Sequence, residues 1–147
     1  MSCIGPRHII TARHCTPTSS SETIRFQPFY YNGETRFTGS QVTTYITSTS
    51  RDGDCLYGQD WAIHILADRL GDQLGYFGSR AMTKDYLNRG IFYNFGYAGD
   101  LPTGLDRPIR SAGGTMQQFG NCAGGDNPTL GNIDVSGGQS GGPMCEF

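Results

Sequence analysis

Short runs rich in threonine, tyrosine, phenylalanine and isoleucine alternate with glycine-bearing turns along the whole chain. Glycine occupies 22 of the 147 positions. A glycine inside a helix costs roughly 1 kcal/mol relative to alanine, so the sequence disfavours long helices. Many short strands at near-regular spacing are typical of an all-β barrel or sandwich. Seven runs predict strands, at Arg7–Ala12, Thr23–Tyr31, Gln41–Ser48, Trp61–Leu66, Gly90–Tyr97, Pro108–Gln117 and Gly131–Val135.

The segments between these runs are mostly turns. Helix is predicted only over Ala67–Leu74 and Ala81–Asn88, and a polar, glycine-rich turn is predicted over Gly120–Pro128. Antiparallel strands joined by such turns close into barrels, so an all-β barrel fold is the prediction.

Charge and hydropathy exclude several classes of protein. The net charge is −2 and no run of lysine and arginine exists, so nucleic-acid binding has no electrostatic footprint. The sequence also lacks an apolar stretch of the roughly 18 residues that a membrane span needs. We therefore expect a protein that binds neither nucleic acid nor membrane. We also expect a monomer.

The five cysteines, at positions 3, 15, 55, 122 and 145, are widely spaced. None has the C-x-x-C spacing of a zinc or thioredoxin-like site, so no metal or other cofactor is predicted. Such cysteines in a glycine-rich β chain predict disulfides and secretion to an oxidising compartment. Because five is odd, at least one is free or pairs outside this chain. The first residues lack the charged start and apolar stretch of a signal peptide.

Three segments are candidates for a catalytic site. In the segment 9–15, an apolar strand end leads into His14 and Cys15. In the segment 59–66, Asp60 opens a strand of alternating apolar residues, where a rigid backbone would hold a carboxylate that accepts the proton-bearing nitrogen of a histidine. His64 lies in the middle of that strand and is interpreted as structural.

The third segment, 137–143, is the most specific. Its glycines allow a sharp turn that exposes Ser140 and leaves room for a substrate backbone. On such a turn, backbone N–H groups can point at a developing oxyanion, and the candidates here are those of Gly138 and Ser140.

The three segments occur in the order histidine, aspartate, serine, with separations of 46 and 80 residues. They resemble the three boxes of chymotrypsin-fold serine endopeptidases, although Arg13 stands where that family usually has alanine. Two further segments resemble the glutamyl-endopeptidase-like branch: 95–100 is similar to its G-Y-P-G-D strand end, and 134–141 to its D-T-x-G-G-Q-S-G serine box. The resemblance spans residues 4–145.

The resemblance implies a chymotrypsin-like double β-barrel that is incomplete at its N- and C-terminal ends. Residues 1–147 would form a partial trypsin-like peptidase domain, with 1–75 forming most of the first barrel and 76–147 part of the second. It implies hydrolysis of peptide bonds in a protein or peptide substrate by a triad of His14, Asp60 and Ser140, through an acyl-enzyme intermediate. Strands expected before residue 1 and after residue 147 would be missing, so this chain alone is expected to be marginally stable and poorly active or inactive.

Two positions near Ser140 bear on activation and specificity. In trypsin-like zymogens, an aspartate just before the serine pairs with a newly cut N-terminal ammonium, but here the residue is the uncharged Gln139. That switch is not expected. Asp134 lies where trypsins hold the acid of their specificity pocket, which would select Arg or Lys. The glutamyl branch often has an aspartate there without that preference, and in that case Asp134 is expected to face backbone N–H groups.

The resemblance also suggests disulfides. Cys15 is similar to half of the bridge that pins the histidine loop, whose usual partner lies farther upstream than Cys3. Cys3 is therefore only a fallback partner, and Cys122 with Cys145 is a guess for a second bridge.

Two rival hypotheses come from other classes. The chain could be an inactive, truncated homologue that acts as an interaction module, which the truncation favours and the intact triad disfavours. It could also be a non-peptidase β domain whose three boxes are coincidental.

Overall fold

The structure is a computed structural model that describes residues 1–48, 57–89, 91–102, 104–122 and 125–146. For residue 57 and for residues 118–130 it describes the backbone alone. Within these ranges the chain forms ten strands and one α-helix of five residues, which confirms the all-β prediction.

The first half of the chain forms one antiparallel sheet of five strands in the order β1-β2-β5-β4-β3. Its central strands pair Ile9 with His64 and Thr11 with Ala62. The alternating pattern of β5 buries Ala62, His64 and Leu66 on one face. The strands are β1 (Ser2–Cys3), β2 (His8–Thr11), β3 (Arg25–Phe26), β4 (Ser40–Thr47) and β5 (Ala62–Leu66).

The core of this half lies where β5 leads into the short helix α1 (Leu70–Leu74). Ile9 and Leu66 are fully buried and pack with Leu70, and Phe26 and Val42 pack against this group. Burying a large aliphatic side chain contributes about 1.5–3 kcal/mol. This cluster therefore fixes β2 against β5, the two strands that lead to the site.

The second half forms two smaller sheets. One is a three-stranded sheet in the order β10-β6-β7, and the other is the hairpin β8-β9. The strands are β6 (Phe92–Gly96), β7 (Ile109–Arg110), β8 (Thr115–Cys122), β9 (Gly125–Gly131) and β10 (Met144–Glu146). No helix among the described residues has both the length and the apolar character that crossing a bilayer requires.

Two predicted strands are largely wrong. Over Thr23–Tyr31 only Arg25–Phe26 is a strand, since Phe29 takes a left-handed backbone conformation with φ 53°. The segment Gly131–Val135 is not a strand beyond its first residue, because Asn132 has φ 56° and ends the extended run.

Two other element predictions also fail. The segment Gly120–Pro128 carries the facing ends of β8 and β9, and Pro128 pairs with Phe119 inside that hairpin. The helix predicted over Ala81–Asn88 is only a 3-10 turn at Lys84–Tyr86, preceded by an extended residue.

Candidate active site

His14 and Asp60 are brought together by the pairing of β2 with β5. His14 lies in a 3-10 turn directly after β2, and Asp60 lies just before β5. Because Thr11 and Ala62 are partners across the two strands, the exit of β2 and the entry of β5 are neighbours. The backbone N–H of Arg13 then donates to the carbonyl oxygen of Asp60 at 3.2 Å.

The Asp60 carboxylate binds His14 at two points. One oxygen lies 2.6 Å from Nδ1 of the imidazole, and the other accepts the backbone N–H of His14 at 2.9 Å. A carboxylate at Nδ1 favours the tautomer with its proton on that nitrogen, which leaves Nε2 as a proton acceptor. The His14 side chain is 58% exposed, so Nε2 remains accessible to a reactant.

The serine turn packs directly on the end of β2. Gly141 has φ 69°, and a Cβ on it would come within 2.6 Å of the backbone nitrogen of Ala12. Only glycine fits this conformation and this close approach. The contact places the exposed Ser140 beside the residues that lead into His14. Among the described residues no hydrogen bond joins Ser140 to His14, and such contacts are often loose in unliganded enzymes.

Two anchored carbonyl groups set the direction of the candidate oxyanion donors. The carbonyl oxygen of Gly137 accepts the N–H of Gly99 at 2.8 Å, and that of Gln139 accepts the N–H of Gly142 at 2.9 Å. In a trans peptide the C=O and the N–H point in opposite directions. The N–H groups of the next residues therefore point away from these anchors, and neither donates to another described residue.

Gly138, the first of these donors, needs its glycine. Its φ is 97°, and a Cβ there would lie 2.6 Å from Cδ2 of Leu105 and close to the carbonyl oxygen of Tyr97. A side chain would displace the peptide that carries the N–H. The arrangement offers two backbone donors beside an exposed hydroxyl, which is chemically suited to stabilise an anionic oxygen.

Asp134 does not behave as expected. It is exposed, and it accepts no hydrogen bond from the described residues, so the expected contact with backbone N–H groups is absent. Two positions further along, Ser136 is held by side-chain contacts: its hydroxyl donates to Asp100, and its backbone N–H donates to the side-chain oxygen of Gln139.

His64 has the environment of a structural residue, in agreement with its interpretation from the sequence. It is fully buried, its Nε2 lies 2.9 Å from the Thr16 hydroxyl oxygen, and its ring centroid is 5.9 Å from that of Tyr45. Burial lowers the pKa of His64 from its ordinary value. A neutral, bonded imidazole inside the first sheet does not compete with His14 as a base.

Neither suggested disulfide is formed in the structure. Cys3, Cys15 and Cys145 all carry free thiols. The Cys3 thiol donates instead to the carbonyl oxygen of Gly5 at 3.2 Å, and β1 pairs Cys3 with Ile9, well before Cys15. Burial raises the pKa of the Cys145 thiol. Cys55 lies outside the described residues.

A metal site is not found in the part of the chain that the structure describes, where no group of three or more histidine, cysteine or acidic side chains is placed to hold an ion. The site residues that the sequence did not reveal are Gly99, which anchors the Gly137 carbonyl, and the side chain of Gln139. The segments that contain them resembled family motifs, but the sequence did not show that the Gly99 N–H meets the Gly137 carbonyl or that the Gln139 side chain folds back on Ser136.

No family model matches the chain. Its sequence is 31% identical over 150 residues to glutamyl endopeptidase of Bacillus licheniformis, an alignment that covers 97% of this chain and 43% of that protein. The chain thus spans less than half the length of this curated relative. The similarity confirms the resemblance to the glutamyl-endopeptidase branch that the motifs indicated.

Three solved structures share the fold. A Glu endopeptidase in complex with MPD superposes with a TM-score of 0.73 at 19% identity, covering 97% of this chain and 66% of that one. The protease Anisep from Arthrobacter nicotinovorans gives 0.64 at 22% identity, covering 100% and 68%. The thermostable serine protease AL20 gives 0.66 at 23% identity, covering 100% and 69%. The chain therefore has the chymotrypsin-like fold that its sequence predicted.

Proposed function

We propose that this chain carries the catalytic centre of a serine endopeptidase, with Ser140 as nucleophile, His14 as general base and acid, and Asp60 as the group that orients the histidine. The observation that carries the proposal is the two-point contact of Asp60 with His14, beside a glycine turn that presents Ser140. The similarity to proteases of the same fold supports it.

In the first step, Oγ of Ser140 attacks the carbonyl carbon of the scissile peptide bond while Nε2 of His14 takes the hydroxyl proton. The carbonyl oxygen becomes an anion, and the N–H groups of Gly138 and Ser140 would stabilise it. The imidazolium that forms is stabilised by Asp60, whose oxygen lies 2.6 Å from Nδ1.

In the second step, His14 returns the proton to the leaving nitrogen as the C–N bond breaks, which leaves an acyl group on Ser140. Water then repeats the sequence: it loses a proton to His14, attacks the acyl carbon and releases the acid, and the proton returns to Oγ. Each proton taken is given back, so no cofactor is needed.

For the substrate we propose a protein or peptide cleaved after glutamate. A buried, unpaired carboxylate in the pocket would select a cationic residue and reject an acidic one, since burying like charges together is costly. Asp134 is exposed and not buried, so the desolvation argument for a preference for Arg or Lys does not apply to it. The similarity to a glutamyl endopeptidase supports the acidic preference. Dominant cleavage of a peptide library after Arg or Lys, abolished by Asp134→Ser, would contradict it.

We also propose that residues 1–75 supply the base and its orienting acid, that residues 76–147 supply the nucleophile, and that the protein acts as a secreted monomer. The two groups of strands and the position of Ser140 in the second support this division.

The test is fluorophosphonate labelling of the enzyme completed by the strands expected on either side of this chain. The probe phosphonylates only an activated serine. We expect one label on Ser140, found by mass spectrometry of the digested chain. Ser140→Ala should abolish the label, and Ser19→Ala, which changes an exposed serine far along the chain, should not. A folded, completed wild type that stays unlabelled would favour the rival hypothesis of an inactive interaction module.

A further inference from the structure

Gln139, the residue before the proposed nucleophile, closes the serine turn on itself. Its side chain is buried, and Oε1 accepts the backbone N–H of Ser136 at 2.6 Å. Its own backbone N–H donates to the carbonyl oxygen of Ser136 at 3.2 Å, and its carbonyl oxygen accepts the N–H of Gly142 at 2.9 Å. One residue thus ties together both ends of the turn 136–142.

Strand β6 leaves a place for this side chain. A Cβ on Gly96 would lie 3.0 Å from Cα, Cβ and Cγ of Gln139, so the glutamine packs flat against a part of the strand that has no side chain. This confinement holds the amide in one position. Its Nε2 is also buried and has no hydrogen-bond partner among the described residues, which leaves Oε1 as the end of the amide that is bonded.

The other end of the bond is anchored as well. The Ser136 hydroxyl donates to Asp100, and the carbonyl oxygen of Gly137 accepts the N–H of Gly99. The link from Gln139 to Ser136 therefore connects a segment fixed on the 99–100 turn to the peptide that precedes Ser140. The two N–H groups assigned to the oxyanion lie between these fixed points.

We propose that Gln139 is a positioning residue that keeps the oxyanion donors of Gly138 and Ser140 in place through its side-chain carbonyl, without touching the substrate. This inference rests on the proposed function. A neutral amide supplies the acceptor without burying a charge, whereas a carboxylate in the same place would need a cation to compensate its desolvation. The serine turn is then ordered by a contact within this segment. A newly cut N-terminal ammonium group is not needed to order the oxyanion donors.

The variants Gln139→Met and Gln139→Glu separate the role of the side-chain acceptor oxygen from the role of side-chain shape. Methionine has a similar shape but only a weakly accepting sulfur, whereas glutamate keeps an oxygen where Oε1 lies. We expect Gln139→Met to lower the rate of fluorophosphonate labelling and kcat by about 10- to 100-fold with KM unchanged, since a donor displaced by about 1 Å can cost that much in the transition state. Gln139→Glu should stay within several-fold of the wild type when its buried carboxyl group is protonated at low pH, and it should lose activity relative to the wild type as the pH rises and an uncompensated carboxylate forms. An equal loss in both variants at every pH, or a loss confined to KM, would overturn the inference.

Ser40→Ala is the matched control, because Ser40 is also buried and its hydroxyl bonds Asp68, but in the first sheet. It should lower the melting temperature without changing the labelling rate. If Ser40→Ala slowed labelling as much as Gln139→Met, the effect would be general destabilisation.

Hydrogen exchange tests the same inference without any activity. The Ser136 amide should exchange faster in Gln139→Met than in the wild type, because its acceptor is gone, and the Gly71 amide, bonded to the carbonyl oxygen of Pro6, should not change. Unchanged protection of Ser136 would overturn the inference. The wild type could instead stay unlabelled while the Ser136 amide exchanged faster in Gln139→Met. That pair of results would overturn only the proposed function.

Discussion

The two halves of the site are held by different means. His14 and Asp60 project from the ends of two paired strands and are joined through their own charged or polar side chains. Ser140 stands on a turn whose shape is set by backbone hydrogen bonds, by glycines at Gly138 and Gly141, and by the neutral side chain of Gln139. One half depends on charged and titratable side chains, and the other depends on the shape of the backbone that carries its N–H groups.

This difference predicts which substitutions each half tolerates. The histidine half should lose function when a titratable group is replaced by an isostere, even though the fold is kept. The serine half should lose function when a Cβ is added at Gly138 or Gly141, where φ is positive and the space is filled, even though no reactive group changes.

The largest expected effect would show that the two halves form one unit. Ser140→Ala and His14→Ala should each lower kcat by about 10⁶-fold, and the double variant should be no worse, since neither group works without the other. Steady-state kinetics on a peptide substrate measures this, with the variants made in the enzyme completed by the strands expected on either side of this chain. If the loss of kcat in the double variant equalled the product of the two single losses, the halves would act independently.

Asp60→Asn tests the side-chain half alone. The amide would hold the wrong tautomer of His14, and kcat should fall by about 10⁴-fold while circular dichroism and the melting temperature stay near wild type. The control is Asp72→Asn, which changes an exposed aspartate paired with Arg69 at 2.6 Å. A similar loss in the control would show a nonspecific effect of charge.

Gly138→Ala tests the backbone half. The added Cβ would press on Leu105 and Tyr97, and displacing one oxyanion donor should cost about 10²- to 10³-fold in kcat. Gly33→Ala is the control, because Gly33 also has positive φ, at 83°, but a Cβ there meets nothing within 4 Å. That variant should lose stability alone. Normal kcat in Gly138→Ala would remove this residue from the oxyanion site.

The smallest effect concerns the stability of the first half. The pKa of His64 is lowered by burial, so between that pKa and the ordinary value of 6.5 the unfolded state binds more protons than the folded state. Stability should therefore fall as the pH is lowered through 6.5 towards the folded-state pKa of His64. Urea unfolding at several pH values measures this, and His64→Gln should flatten the slope while the exposed His8→Gln should not.

The sequence predicted best what depends on local pattern. The alternation of Ala62 to Leu66 and the apolar run before His14 identified β5 and β2, and the two motifs at their ends were found with them. The glycine turn was equally visible, because positive φ and close packing demand glycine. Each of these features is a property of a few neighbouring residues.

What failed depends on distant partners. Pro128 and the glycines around it indicated a turn, but a two-stranded hairpin tolerates proline because an edge residue need not donate to a neighbouring strand. The short strand Met144–Glu146 exists only through its pairing with β6. The role of Gln139 likewise requires Gly96 beside it, and nothing in the local sequence of either residue indicates the contact.

The contact of Gly141 with Ala12 has a mechanical consequence. It joins the serine turn to the strand that leads into His14. If one half of the molecule rocks against the other about this point, the outer loops travel far, while groups next to the pivot hardly separate. Such a motion would change the spacing of the proposed nucleophile Ser140 and the proposed base His14 very little.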